Sequence, residues 1–415
     1  MAVVFVNRYA WPDHSATSQL LTDLAQALVV RGHAVTVIAS RQLYDAPAAD
    51  LPASEEDAGV RYLRVATTRF GRKRLLGRAL DYLSFYAMLP FTLARTLRQG
   101  DIVIAKTDPP LLGVLVSVVA WLRGARCVNW LQDVFPEVAV ALGEPRLPRL
   151  LTASAAWLRD LGLRSAAMNV VIGERMATRL QARVPNTALK VIPNWALERE
   201  IRPLPREGNR VRRQSGFDAR FIVAYSGNLG RAHDAETLLT AARRLRERAD
   251  IGFLLIGDGH LMRQLQDQVE RDALGNIRFL PYQPIERLAE SLAAGDLHLV
   301  SLRPELEGLI VPSKFYGIAA AARPIAFVGD ADGELAGWIT LHECGVVVQP
   351  GHGGALAEAI VAMADSADRG AARGRNARRM LDLRFTRDGA HQQWHDLLSQ
   401  LGATSAHNPT EKHRT

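Results

Sequence analysis

The chain has 415 residues, 48% hydrophobic and 23% charged, with a formal net charge of +8. That length suits two domains better than one core, and the composition excludes disorder of the whole chain. The positive charge leaves nucleic acid, an anionic membrane surface and phosphorylated substrates as partner classes. Nucleic acid falls away, because there is no zinc-ligand spacing and no aromatic-basic run.

In chain order, MAVVFVNRYAW lacks a basic segment followed by a long apolar one, so 3–6 is expected to be a first strand and not a leader. From Ser15 to Arg31, Leu20, Leu21, Leu24, Ala27 and Leu28 recur at helical spacing, and Gly32 closes the helix. A second strand is expected at 34–40. The stretch 67–100 mixes Arg and Lys with Phe, Tyr, Leu and Met, the pattern of a helix lying on anionic lipid; a buried helix with a basic solvent face is the alternative. Further strands are expected at 102–105, 127–131, 169–172 and 190–192. The apolar run 111–122 has 12 residues against roughly 20 for a membrane span, and predicts a buried helix. Two distant cysteines, Cys127 and Cys344, argue for a reducing, cytoplasmic compartment.

The proline-rich, charged segment 196–216 interrupts the alternation and predicts a linker between domains spanning 1–195 and 217–385. Strands then recur at 221–227, 252–259, 277–282, 296–302, 324–328 and 345–348. A helix at 386–401 is expected to pack back on the first domain, and 402–415 to form a disordered tail. Alternating strands and helices in both halves predict α/β domains with parallel sheets. Their chemistry belongs in the loops at the carboxyl ends of the strands.

Several of those loops carry reactive groups. Ser226-Gly227-Asn228-Leu229-Gly230-Arg231 follows a strand and suits a diphosphate, with Arg231 or His233 to pair with it; a plain tight turn is the alternative. Gly257-Asp258-Gly259 and Tyr282 lie past the next two strands. Ser313 and Lys314 open an alanine-rich helix, with Glu305 and Glu307 just upstream. In the first half, Asp133 and Glu137 follow the strand at 127–131. Asp133 is placed to orient or deprotonate a hydroxyl, or else to cap a helix. His14, Ser15 and Thr17 are placed to meet a sugar or its phosphate, with Ser15 or Ser18 as a helix cap the alternative. Asp330-Ala331-Asp332 is expected to be a solvated turn, and no His/Cys/Asp cluster has metal spacing.

Taken together, YAWPDHSATSQLLTDLAQAL with RGHAVTVIAS, LQDVFPE, VIPNW, YSGNLGRAHD, LLIGDG and EGLIVPSKFYG resemble, in this order, retaining glycosyltransferases of GT-B fold in the large mannosyl/glucosyl-type family. The resemblance is closest to the branch of colanic-acid, exopolysaccharide and O-antigen assembly. It implies two Rossmann-like domains facing each other across a cleft, a nucleotide-sugar donor in the second and a lipid-linked saccharide acceptor in the first. It further implies no metal or other cofactor and a peripheral place on the inner face of the cytoplasmic membrane. Donor binding would fall to Gly227, Asn228, Gly230, Arg231, His233, Gly257, Asp258, Gly259, Tyr282, Glu305 and Ser313. Acceptor binding would fall to His14, Ser15, Thr17 and Glu137, and catalysis to Asp133, Glu307 and Lys314.

Two departures stand out. The family's second loop glutamate is replaced by Gly317, with Glu307 two residues from the place of the first, and the usual lysine after the GNLG turn is missing. Lys314 is therefore expected to carry part of the diphosphate charge. A non-catalytic nucleotide-binding or regulatory protein, or a nucleotide-sugar epimerase, are the competing expectations.

Overall fold

The structure, a computed structural model, describes residues 1–46, 48–71, 75–143, 148–196, 201–217 and 219–406. The chain forms two compact units, one of Met1–Pro193 with Ala390–Thr415, the other of Asn194–Gly389. Each is built on one parallel sheet.

The first sheet contains β1 (Ala2–Val6), β2 (Ala34–Ser40), β3 (Ser54–Asp57), β4 (Val60–Val65), β5 (Ile102–Ala105), β6 (Arg126–Leu131), β7 (Met168–Val171) and β8 (Leu189–Val191), in the order β3-β4-β2-β1-β5-β6-β7-β8. All neighbours are parallel except the β3–β4 hairpin. That hairpin has no counterpart in the expected strands, because the edge strand SEED is polar and only half covered. Central strands are apolar on both faces, as helices on both sides require; Val3, Val4, Phe5 and Val6 are all buried. Gly32, at φ +85°, closes the helix Ala16–Val30 in the left-handed conformation that glycine tolerates.

The last helix, Arg387–Ala406, belongs to this unit from Ala390 onward. It sinks Trp394 against Trp130 of β6, ring centroids 4.9 Å apart, both fully buried. His391 Nε2 lies 2.8 Å from the buried Asp23 carboxylate on the helix Ala16–Val30. The helix runs to Ala406, five residues past the expected end; 407–415 lie outside the described residues.

The second sheet contains β9 (Phe221–Ser226), β10 (Ile251–Ile256), β11 (Ile277–Leu280), β12 (Leu297–Ser301), β13 (Ile325–Val328) and β14 (Gly345–Val348), in the order β11-β10-β9-β12-β13-β14, all parallel. The segment expected as a linker is tied into this unit. Asn209 caps the short helix Arg210–Gln214 by accepting from Arg212 N at 2.9 Å. Arg206 and Arg212 both bind Asp296.

The alanine-rich helix spans Lys314–Ala320, and its small residues have a packing reason. The helix Ala367–Arg384 crosses it so closely that a Cβ at Gly374 would stand 2.2 Å from the Ala322 carbonyl oxygen. Arg378 Nη1 donates to Ala320 O at 3.0 Å, satisfying one carbonyl at the helix end. Gly374→Ala is therefore expected to lose about 1–3 kcal/mol of stability through overpacking. This reads as a lower urea midpoint at unchanged slope; a midpoint equal to the parent's would show that the crossing yields freely.

Candidate active site

In each sheet the chain leaves a central strand in both directions. β1 lies between β2 and β5, and β9 between β10 and β12. At such a switch point the loops at the carboxyl ends diverge and open a crevice. The two crevices are described in turn.

In the second unit, the loops after β9 and β10 lie back to back. Gly227, Gly257 and Gly259 have φ of 127°, 131° and 141°, and a Cβ at Gly257 would stand 2.3 Å from Gly227 O. Leu229 N donates to Asp258 O at 2.8 Å, locking one turn to the other. The glycine pair thus exists for this close approach. Beside Gly227 lies Lys314: a Cβ on Gly227 would meet its Cε and Nζ at 3.6 Å. The ammonium donates to the hydroxyl of Tyr225, at the end of β9, and sits 3.8 Å from the centre of that ring. Tyr225 in turn donates to Asn228 O at 2.8 Å.

Burial lowers the Lys314 ammonium to about 7. In the first turn of its helix, Phe315 N and Tyr316 N already donate to Pro312 O and Ser313 O. The positive charge available here therefore belongs to the lysine rather than to those amides. Ser313 occupies the N-cap position without a side-chain cap bond.

His233 does not supply the charge expected of it. Burial first, and then the nearby Lys314, bring it down to about 4, so it is neutral at neutral pH. Its Nδ1 bonds Ser301 O at 2.7 Å, and Asp234 N donates to Ser301 Oγ at 2.7 Å. The histidine is a strut joining the loop after β9 to the end of β12.

Glu307 accepts from Glu334 N at 2.9 Å, at the start of the helix Glu334–Leu341, which pins the 304–313 loop. Glu305 is exposed beside Arg303, Arg231 and Asn228 are exposed, and Gly230 is half-buried. Asp258 accepts from Gly259 N. Tyr282 is 56% exposed and close enough to Tyr225 to add to the burial that raises the Tyr225 phenol. At Gly317 a Cβ would meet only Ile201 and Leu292, at 3.6 Å, so this glycine is not imposed by crowding. Asp330 and Asp332 form an exposed turn in which Asp332 N donates to Asp330 Oδ1.

In the first unit, β5 and β6 end at a narrow pocket of about 40 Å³ lined by Lys106, Thr107, Leu111, Asp133, Phe135 and Leu163 among others. Asp133 is raised to about 6, by burial first and then by the charge of Asp108, against a hydrogen bond from Thr107. It caps no helix: the next, Glu137–Ala141, has Pro136 at its N-cap. Glu137 has another task, since both its oxygens accept from Arg159, at 3.0 and 2.8 Å. His14 is exposed. Ser15 donates through N and Oγ to Asp13 and makes no cap bond; Ser18 is buried inside the helix. The Thr17 carbonyl accepts from Lys106 Nζ at 2.9 Å.

Sequence reasoning missed the cations that shape these loops. Arg8, just past β1, is buried with Nη2 3.2 Å from Asp81 and 3.0 Å from Gln42 Oε1. Lys106, the first residue past β5, is buried over the Trp130 ring at 3.6 Å, and burial lowers its pKa far below the usual lysine range. A cation directly after an apolar strand was the available signal.

Known proteins bear on this geometry. Residues 16–195 match a glycosyl transferase 4-like domain and residues 220–366 the glycosyl transferases group 1 domain. A probable glycosyltransferase WbjE of Pseudomonas aeruginosa is 30% identical over 269 residues, covering 64% of this chain and 67% of that protein. The chain belongs to the GT-B glycosyltransferases. A putative colanic acid biosynthesis glycosyl transferase WcaI of Escherichia coli K12 is 24% identical over 348 residues, covering 78% of this glycosyltransferase and 82% of that one. The solved structure of Anabaena Alr3699/HepE in complex with UDP-glucose matches with a TM-score of 0.71 at 18% identity, covering 96% of this chain and 100% of that one. This last likeness is one of fold.

Proposed function

We propose that this glycosyltransferase takes a sugar from a nucleotide-diphosphate donor bound by the second unit. It passes the sugar, with retention of configuration, to a lipid-linked saccharide bound by the first, in bacterial exopolysaccharide or O-antigen assembly. The observation that carries this reading is the Lys314 ammonium beside Gly227 at the switch point of the second sheet. A diphosphate seated there meets a fixed cation beside a glycine backbone. Asp133, raised toward neutrality at the carboxyl end of β6, suits an incoming hydroxyl. The UDP-glucose bound by the fold neighbour and the colanic-acid role in the WcaI name agree with this choice of substrates.

A mass-spectrometric screen of nucleotide sugars against polyprenyl-diphosphate saccharides tests the proposal, run with and without EDTA to learn whether a divalent cation is also needed. Formation of a glycosylated lipid is the expected result. Tight nucleotide binding with neither transfer nor hydrolysis, across the panel, would leave the non-catalytic alternative standing.

We further propose that the first unit docks on anionic lipid from the cytoplasmic side. Among the described residues, no helix is long and apolar enough to cross a membrane. The helices Leu75–Thr96, Leu112–Leu122 and Arg149–Ser165 pack in sequence. They leave Leu76, Phe91, Trp121, Leu150 and Trp157 more than half exposed. Their only acids, Asp81 and Asp160, are buried, so the charged groups on the solvent side are arginines alone. Of the basic residues that open the 67–100 stretch, Arg69 pairs with Asp50, and Arg72, Lys73 and Arg74 lie outside the described residues.

Burying one large apolar side chain is worth about 1.5–3 kcal/mol. Replacing Leu76, Phe91 and Trp121 together by Ser should therefore release the protein from phosphatidylglycerol vesicles in co-sedimentation. Binding that survives the triple change, and high salt as well, would sink the docking model.

A further inference from the structure

The second unit has a basic cavity at the end of its sheet opposite to Lys314. It measures about 400 Å³ and lies where β9, β12 and β13 begin, its lining including Arg206, Glu207, Arg220, Asp296, Arg323 and, from the helix Ala367–Arg384, Gly370. The six residues of β9 separate this end from the Gly227 loop by about 20 Å.

The charges there do not balance. Asp296 is fully committed: Arg206 Nη1 and Arg212 Nη1 each donate to it at 2.9 Å, and Ile222 N at 2.8 Å. Glu207 accepts from Arg206 at 3.1 Å. Two guanidinium groups then remain without an acid. Arg220 is exposed and donates through Nη2 to Ala364 O at 2.9 Å. Arg323 donates through Nη2 to Leu204 O and Ala293 O, while its buried Nε has no hydrogen-bond partner. Burial pushes the Arg323 pKa down and the like charges of Arg206 and Arg212 add to the fall, opposed by Asp296 and, more weakly, Glu207. Asp250, within electrostatic reach of Arg220, is held by Arg248 at 2.8 and 3.1 Å. Cations brought together in a concavity, with acids already spent, make a site for an anion of matching charge.

We propose that this cavity binds a small ligand carrying a diphosphate or two phosphate groups, at a second site separate from the one beside Lys314. The size lies within the range of small-molecule pockets, and the two guanidinium groups not paired with an acid set the charge. Such a ligand braces the 204–212 segment against the ends of the helices Gly353–Ala364 and Ala367–Arg384.

Calorimetric titration of the full chain with inorganic pyrophosphate, at constant ionic strength, tests this. The parent should show two sites, Lys314→Ala only the one in the basic cavity, and Arg220→Ser only the one beside Lys314. Arg220 is exposed, so its loss leaves the fold intact; Arg323→Lys should weaken the same site about tenfold or more. An Arg220→Ser isotherm identical to the parent's would overturn the proposal. So would a parent with no bound pyrophosphate, or with one site that Lys314→Ala abolishes. The Lys314→Ala arm reports separately on the donor reading.

Discussion

Lys314→Ala should lower turnover by about 10²–10³-fold, equivalent to about 3–4 kcal/mol in the barrier, as for loss of one preorganised electrostatic group. Donor binding should suffer less, because the leaving diphosphate gains charge as the sugar–oxygen bond breaks and a fixed cation favours that state over the ground state. Lys314→Arg should recover only part, since a guanidinium is planar and too broad to repeat the contact with Tyr225. Burial holds the lysine near 7, which sets the direction of the pH dependence. Below 7 the ammonium is already present. Above 7 the protein must take up a proton to bind a diphosphate, and affinity should fall by up to about tenfold per pH unit. Nucleotide titrations at pH 6 and 8.5 check this, and Lys314→Ala should flatten the profile. The same shift affects the empty protein: the unfolded chain keeps this proton to 10.5, so stability gains as pH rises from 7 toward 10.5. If Lys314→Ala stays within a few-fold of the parent's turnover, the lysine serves only its helix.

Asp133→Asn should cost about 10²-fold or more in turnover with donor affinity nearly unchanged. A carboxylate acts as base only when deprotonated, and burial with Asp108 holds this one to about 6. Rate should therefore climb as pH rises through 6. Asp108→Asn removes the like charge, so the carboxyl of Asp133 ionises more easily and that limb should move to lower pH, while circular dichroism stays that of the parent. A limb that stays in place in Asp108→Asn, or an Asp133→Asn enzyme with normal turnover per folded molecule, would remove Asp133 from the chemistry.

Much of the scaffold was legible because parallel strands buried on both faces are continuous apolar runs: VVFV, FIVAYS and GFLLIG could hardly be anything else. The loops that follow them were legible for the same reason, and the Gly227 and Lys314 neighbourhood came with them. What stayed hidden depends on partners distant in sequence. Arg206 and Arg212 look like linker charges until Asp296, 90 and 84 residues away, is placed between them. Glu137 looks like a free carboxylate until Arg159 closes on both its oxygens. His233 has a cation's side chain, but its burial, which no local pattern encodes, makes it neutral. Tyr225 lies in an expected strand and was given no role of its own, yet its hydroxyl accepts from Lys314.

The pairing of Trp394 with Trp130 has a consequence for how the molecule is made. The first unit is begun by residue 1 and closed only by residues past Ala390, so the ribosome delivers its final piece after the whole of the second unit. Domains usually mature in the order of their synthesis. Here the later-made half has all its own residues while the earlier-made half still waits for its last helix, with the face of Trp130 uncovered. A chain released at Gly389 should therefore carry a finished second half and an incomplete first one.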